Sequence, residues 1–243
     1  MNTNTKTERL DKLLSNLGYG SRKDVKIWVK QGAIICDGEV VKSPSQKVNP
    51  HLVELDGEAL DHPDGLTLIY HKPLGTTCSR KEEGRLIYDD LPEQWQHRKP
   101  PLSPVGRLDK ETSGLLIITD DGKLNHHLTS PKHHISKTYA VTLDRPLQGD
   151  EAERFASGKL LLEDDDRPCL PAEMETVNEK QAILVLHEGR YHQVRRMFAA
   201  VGNHVTELTR TDIGALSLDS TGLAAGEFLV IEPETLIERV SPK

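Results

Sequence analysis

Asp109 stands between Arg107 and Lys110 in the run Gly106-Arg-Leu-Asp-Lys-Glu-Thr-Ser-Gly114, which leads into the apolar residues Leu115 to Ile118. A polar loop bounded by glycines and joined to a buried strand holds a side chain rigidly at a cleft edge. On spacing alone, a turn-capping aspartate is the plainer reading. Two other segments change the weighing. Lys137-Thr-Tyr139 opens a strand pattern, so Lys137 and Tyr139 point to one face. Gly189-Arg-Tyr-His-Gln-Val-Arg-Arg-Met-Phe198 opens a helix and brings three arginines.

Other chemistry is poorly supported. His126-His127 and His133-His134 have no nearby cysteine or well-spaced carboxylate to complete a metal site, and His187 and His192 lack a third ligand. Asp164-Asp-Asp166 reads as a solvated loop, because Arg167 and Pro168 follow at once. Cys36, Cys78 and Cys169 are too few and too scattered for a disulfide framework. No metal and no cofactor are expected.

Several elements must position these residues. Leu10, Leu13, Leu14 and Leu17 have helical spacing, closed by Gly18-Tyr-Gly20. Ser21 and Asp24 then form a capping-box pattern for a second helix. That helix has an apolar face of Val25, Trp28 and Val29, with Arg22, Lys23, Lys26 and Lys30 on the adjoining face. Asp37-Gly38 and Asp56-Gly57 mark hairpin turns. The breaker cluster Asp61 to Gly65 is the expected linker, after a tail at 1–7 and a small domain at 8–60. The remainder, 66–243, mixes strands and helices. Strands are expected at 66–70, 115–118, 137–143, 182–187, 204–209, 213–218 and 227–231, and helices at 150–159, around Val194 to Val201, and from Pro233. The expected class is α+β, with a mixed, mostly antiparallel sheet flanked by helices in the larger domain.

Charge fits this division. The chain of 243 residues carries a net charge of −7, which argues mildly against a nucleic-acid partner. The segment 144–188, with twelve acidic and five basic residues, accounts for all of it. Local basic stretches, Arg22 to Lys30 and Arg190 to Arg196, remain compatible with phosphate contacts. No apolar run approaches the roughly 18 residues needed to span a bilayer. The N-terminus has no secretory pattern, so a cytoplasmic protein is expected. A monomer is expected, since no unexplained apolar stripe is evident.

The segments together resemble the pseudouridine synthases that modify ribosomal RNA. Gly106-Arg-Leu-Asp-Lys-Glu-Thr-Ser-Gly-Leu-Leu116 resembles that family's catalytic motif, with its aspartate at Asp109. Lys137-Thr-Tyr139 resembles the second motif, with its active-site tyrosine at Tyr139. Gly189 to Phe198 resembles the third, whose arginine partner of the aspartate falls on Arg195. Tyr70-His-Lys-Pro-Leu-Gly75 resembles the leading motif, with His71 where the family usually has asparagine. Residues 8–60 are similar to the S4 RNA-binding module, whose RNA-facing surface would be the stripe of Arg22, Lys23, Lys26 and Lys30. The stretches 119–122, 129–139 and 197–205 resemble small-subunit more than large-subunit members. The resemblance therefore implies a 16S ribosomal RNA substrate, free or in a ribosome assembly intermediate.

It also implies roles. Asp109 would open the glycosidic bond and must be ionised; an adjacent guanidinium draws an aspartate pKa down by about 1–3, and Arg195 is the expected partner. Removing Arg195 from such a buried pair would cost about 3–5 kcal/mol. Tyr139 would stack on a uracil flipped out of the RNA stack, Arg107 would enter the vacated space, and Lys137 would hold a phosphate or simply sit at a strand edge. The alternatives are a large-subunit synthase, a non-catalytic assembly factor, and an aspartyl-phosphate hydrolase, in which Glu111 only partly supplies the second carboxylate for magnesium. Chelation separates the last: EDTA should leave uridine isomerisation by this protein unchanged, whereas it would abolish a hydrolase.

Overall fold

The leucine periodicity near the N-terminus becomes helix α1 (Leu10–Asn16), with Leu10, Leu13, Leu14 and Leu17 all buried. The structure, a computed structural model, describes residues 7–241; of the expected tail at 1–7, all but Thr7 lie outside the described residues. Helix α2 (Arg22–Gln31) begins with the expected capping box: the Ser21 hydroxyl accepts from Asp24 N, and the Asp24 carboxylate accepts from Ser21 N at 2.7 Å. Two orphan backbone donors of the first turn are thereby satisfied. Val25 is fully buried against α1, with Trp28 and Val29 beside it.

Strands β1 (Ile34–Cys36), β2 (Glu39–Val40), β3 (Val53–Leu55) and β4 (Glu58–Ala59) form a small antiparallel sheet in the order β2-β1-β3-β4. Both Asp-Gly steps turn with positive φ at the aspartate and the glycine, as two-residue hairpins require. This compact unit also takes in Leu91–Ser103 and Thr119–Asp121. Within it, Lys99 N donates to Asn16 O at 2.7 Å and Gln94 Nε2 to Leu17 O at 3.3 Å. Arg98 and Asp120 form a buried ion pair, 3.0 Å apart, with side chains only 2% and 8% exposed. Asp120 also accepts from Leu66 N, and Arg98 donates to His62 O.

The second unit is built on a mixed sheet. Its strands are β5 (Thr67–Lys72), β6 (Ser113–Thr119), β7 (Lys137–Leu143), β8 (Glu173–Asn178), β9 (Gln181–Leu186), β10 (Val205–Ile213) and β11 (Phe228–Val230). They lie in the order β8-β9-β7-β10-β6-β5-β11. Pairings β8/β9, β9/β7, β7/β10 and β5/β11 are antiparallel, while β10/β6 is parallel. Helices α3 (Gly122–Thr129), α4 (Glu151–Ala156), α5 (Gln193–Ala200) and α6 (Pro233–Val240) cover it. One core joins Val141, Leu143, Leu184 and Leu186 to Phe155 of α4 and Val194, Met197 and Phe198 of α5. Another joins Leu115 and Ile117 to Leu124 and Leu128 of α3 and Leu236 and Val240 of α6.

The expected break after residue 209 is absent, and β10 runs unbroken to Ile213. The polar stretch Arg210-Thr-Asp212 interrupts the apolar alternation; β7 pairs with Arg210 and Asp212 across a register shift at Thr211, and β6 pairs with Thr209 and Arg210, so the strand continues through it. Among the described residues no helix is long and apolar enough to cross a membrane. Substituting Arg98→Met would leave the Asp120 carboxylate buried without its guanidinium. It should lower stability by about 3–5 kcal/mol in chemical denaturation.

Candidate active site

Lys137, Tyr139, Val141 and Leu143 alternate onto one face of β7. Val141 and Leu143 are buried in the α4–α5 core, and Tyr139 packs at its edge. Beyond it the apolar layer gives way to a cavity of about 420 Å³, which Lys137 and Tyr139 line. Tyr139 lies directly opposite Arg210 of β10, so the two side chains share a face, and both line the cavity. Arg107, Asp109 and Thr112 enter from the 106–114 loop, and Glu188 to Gln193 complete the wall. Four expected site residues are thus brought together: Arg107, Asp109, Lys137 and Tyr139.

The loop is held by close backbone contact. Gly114 has φ +112, and a Cβ there would lie 2.2 Å from Arg210 O. Only glycine allows β6 to begin this close to β10, where Gly114 pairs with Arg210. Ser113 and Thr209 add a hydroxyl–hydroxyl bond of 2.8 Å. Lys72, fully buried, donates to Thr112 O at 2.7 Å, and Gly75 N donates to Lys110 O at 2.8 Å. Burial pushes the Lys72 pKa down, against the pull of Cys78, Asp109 and Glu111.

Arg195 does not pair with Asp109 as expected. Its guanidinium donates to Val205 O at 2.9 Å and Glu111 O at 2.8 Å, and it does not line the cavity. The reason is local: from α5, the guanidinium meets the carbonyls at the start of β10 and in the loop, so it braces the Asp109 loop through its backbone. The side chain beside Asp109 is instead the His192 imidazole, whose Nε2 lies 3.4 Å from Asp109 Oδ1. His192 immediately precedes α5 at φ 48 and ψ 34. A non-glycine residue in this left-handed region costs free energy, and such strain concentrates at functional sites. Tyr191, 70% exposed, stacks on the His192 ring at 3.9 Å.

The rim is tied down by charge. Arg190 pairs with Asp165 and Glu188, and Arg196 with Asp165. Hydrogen bonds from Arg196 and Arg190 hold the Asp165 carboxyl below its ordinary pKa. Asp165 is therefore a bracing residue, not part of the purely solvated loop that Asp164 to Asp166 suggest in sequence. Gln193 donates to Glu188 and accepts from Arg190 N, which fixes the loop before α5. Arg210, Thr112 and His192 are the residues that sequence reasoning missed. The signal for Arg210 was a charged residue two positions after Leu208, on the inward face of a strand. Lys137 is half-buried, and its Nζ donates to Ile135 O at 2.8 Å. Arg22, Lys23, Lys26 and Lys30 are all exposed on α2 of the other unit.

Residues 66–200 match the family described as RNA pseudouridylate synthase, and residues 8–53 match the S4 domain. The chain is 40% identical over 233 residues to the ribosomal small subunit pseudouridine synthase A of Escherichia coli, covering 94% of this chain and 98% of that one. It is 40% identical over 239 residues to the protein of the same name from Yersinia pestis, covering 96% and 99%. A crystal structure of a pseudouridylate synthase superimposes with a TM-score of 0.65 at 35% identity, covering 96% of this chain and 99% of that one.

The Gly114 contact gives a direct test. Gly114→Ala meets both a clash with backbone and a disfavoured φ. It should cost about 3 kcal/mol or more of stability, measured by thermal and urea unfolding.

Proposed function

The chain belongs to the RNA pseudouridylate synthase family, and on that premise we propose that it isomerises one uridine of small-subunit, 16S, ribosomal RNA. It is a pseudouridine synthase. The observation that carries the site assignment is that Asp109 and Tyr139, from segments of the chain nearly thirty residues apart, line one cavity. The substrate assignment is supported by relatives named as ribosomal small subunit synthases, similar over nearly their whole length.

The reaction breaks the N1–C1′ bond of uridine, turns the uracil, and rejoins it through C5. Asp109 has two routes. Its carboxylate attacks C1′ to form a sugar ester, or it removes the C2′ proton to leave a glycal. On either route the bond pair leaves with N1. C5 then bonds to C1′, as the ester C1′–O bond breaks and frees the Asp109 carboxylate, or as Asp109 returns the proton to C2′ of the glycal; C5 gives up its proton and N1 gains one, so the product is an isomer with no redox change.

The target must leave the RNA stack, at a cost of a few kcal/mol. Arg107, exposed at the cavity edge, is placed to fill the vacated space and contact the backbone. Tyr139 offers a ring face to the flipped uracil and serves the C5 proton loss. Arg195 acts as a positioning residue through Glu111 O. Lys137 lines the cavity half-buried, which fits a contact within it better than an outer phosphate.

Residues 8–60 act as the RNA-binding module, 61–65 as the linker and 66–243 as the catalytic domain, whose segments 91–103 and 119–121 belong to the N-terminal compact unit. Arg22, Lys23, Lys26 and Lys30 contact phosphates, adding salt-dependent affinity without base specificity. The protein works as a cytoplasmic monomer, on free 16S RNA or an assembly intermediate.

RNA tritiated at uridine C5 tests this. The wild-type protein should release tritium from 16S substrate, and Asp109→Asn should bind the same RNA yet release none. Release by Asp109→Asn removes Asp109 from its role. Release from 23S RNA alone overturns the substrate, and tight binding without release from either RNA favours a non-catalytic assembly factor.

A further inference from the structure

Among the described residues, two buried side-chain atoms have no hydrogen-bond partner: Thr112 Oγ1 and Arg210 Nη2. Both residues line the Asp109 cavity. Leaving a buried polar group unmade is costly, more so when it is charged, and such a group needs a reason. Arg210 is 3% exposed; its Nε donates to Leu115 O at 2.8 Å, and among the described residues no carboxylate pairs with it. Lys137 stands on the same face of the sheet, also with only a carbonyl acceptor. Burial and the nearby Arg210 both push the Lys137 pKa down, so each cation makes the other more expensive to keep.

The wall's own carboxylates do not relieve this. Glu188 is engaged by Arg190 and Gln193. Asp109 faces His192 and pairs with neither cation. Two desolvated cations therefore flank the cavity without a counter-charge of their own, an arrangement that costs stability. It gains value when a negative charge arrives with the substrate.

The chemistry of the reaction supplies one. A backbone phosphate that remains in solvent would not reach a residue as buried as Arg210. The flipped nucleoside does enter. When C1′–N1 breaks, the electron pair stays on N1, and the detached uracil is an anion delocalised over N1, O2 and O4. We propose that Arg210 and Lys137 form the holding site for this anion, keeping it in the cavity while it turns to present C5. The charge disappears when C5 bonds to C1′, loses its proton, and N1 is protonated. The Thr112 hydroxyl, which can donate or accept, completes the site against the ring's carbonyl or N3–H edge. The inference rests on reading the Asp109 cavity as the synthase site, and it holds for both routes open to Asp109.

Single-turnover tritium release at saturating 16S RNA, with RNA affinity measured separately, tests it. Arg210→Gln should slow the saturated rate about a hundredfold while affinity changes less than about threefold. Arg210→Lys keeps a charge and should recover roughly tenfold of that loss, a rescue that a purely structural arginine would not show. Lys137→Met, at a half-buried position, should slow the rate about tenfold with affinity kept, and it decides the matter if the Arg210 variants do not fold. Saturated rates equal to wild type, or losses confined to affinity, overturn the proposal. Absence of release by the wild-type protein from 16S and 23S RNA alike would instead refute the synthase reading.

Discussion

The parallel contact between β6 and β10, closed at Gly114 and Arg210, determines where Asp109 can stand. At Gly114, with φ +112, a Cβ would lie only 2.2 Å from Arg210 O, so this approach of the two backbones needs glycine. The contact does three things. It anchors the end of the Asp109 loop to the central sheet. It places Arg210 beside Tyr139, its cross-strand neighbour. It brings the Arg210 guanidinium within reach of Leu115 O. Lys72 and Arg195 then hold the loop from two other directions, through the carbonyls of Thr112 and Glu111.

Around this anchor, cations do two kinds of work. Arg190, Arg196, Arg195 and Lys72 donate to backbone carbonyls or to carboxylates of the chain itself, and their charge holds loops in register. Arg210 and Lys137 line the cavity without a carboxylate of their own. The first group stabilises the frame; the second costs stability to keep. Buried charge is tolerated where paired and expensive where it is not, so the unpaired members are the better pointers to chemistry. Uneven charge along the chain belongs to the same economy of position. The acidic excess of 144–188 leaves the rest of the chain neutral, and Asp165 and Glu188 from that stretch brace the rim.

Much of this was legible in the sequence where the controlling physics is local. Helical spacing of four leucines, the Ser21–Asp24 capping box and the two Asp-Gly turns all act over a few residues, and each appears in the structure. Strand alternation placed Lys137 and Tyr139 on one face, and the glycine-bounded loop marked Asp109. Family resemblance carried the function for the same reason: its motifs are short runs readable one at a time.

What the tertiary structure alone decided are pairings between distant segments. Arg195 takes the carbonyls of Glu111 and Val205 rather than the carboxylate of Asp109, and His192 takes the place beside it. Arg210 joins the site through a register ninety-six residues from Gly114, in a strand that reads in sequence as broken. Residues 91–103 join the N-terminal unit without any composition signal. A side chain's type and spacing set what it can donate or accept, but which partner it meets depends on sheet order and register. Those are settled only when the whole chain packs, because one residue of slip turns every side chain of a strand to the opposite face.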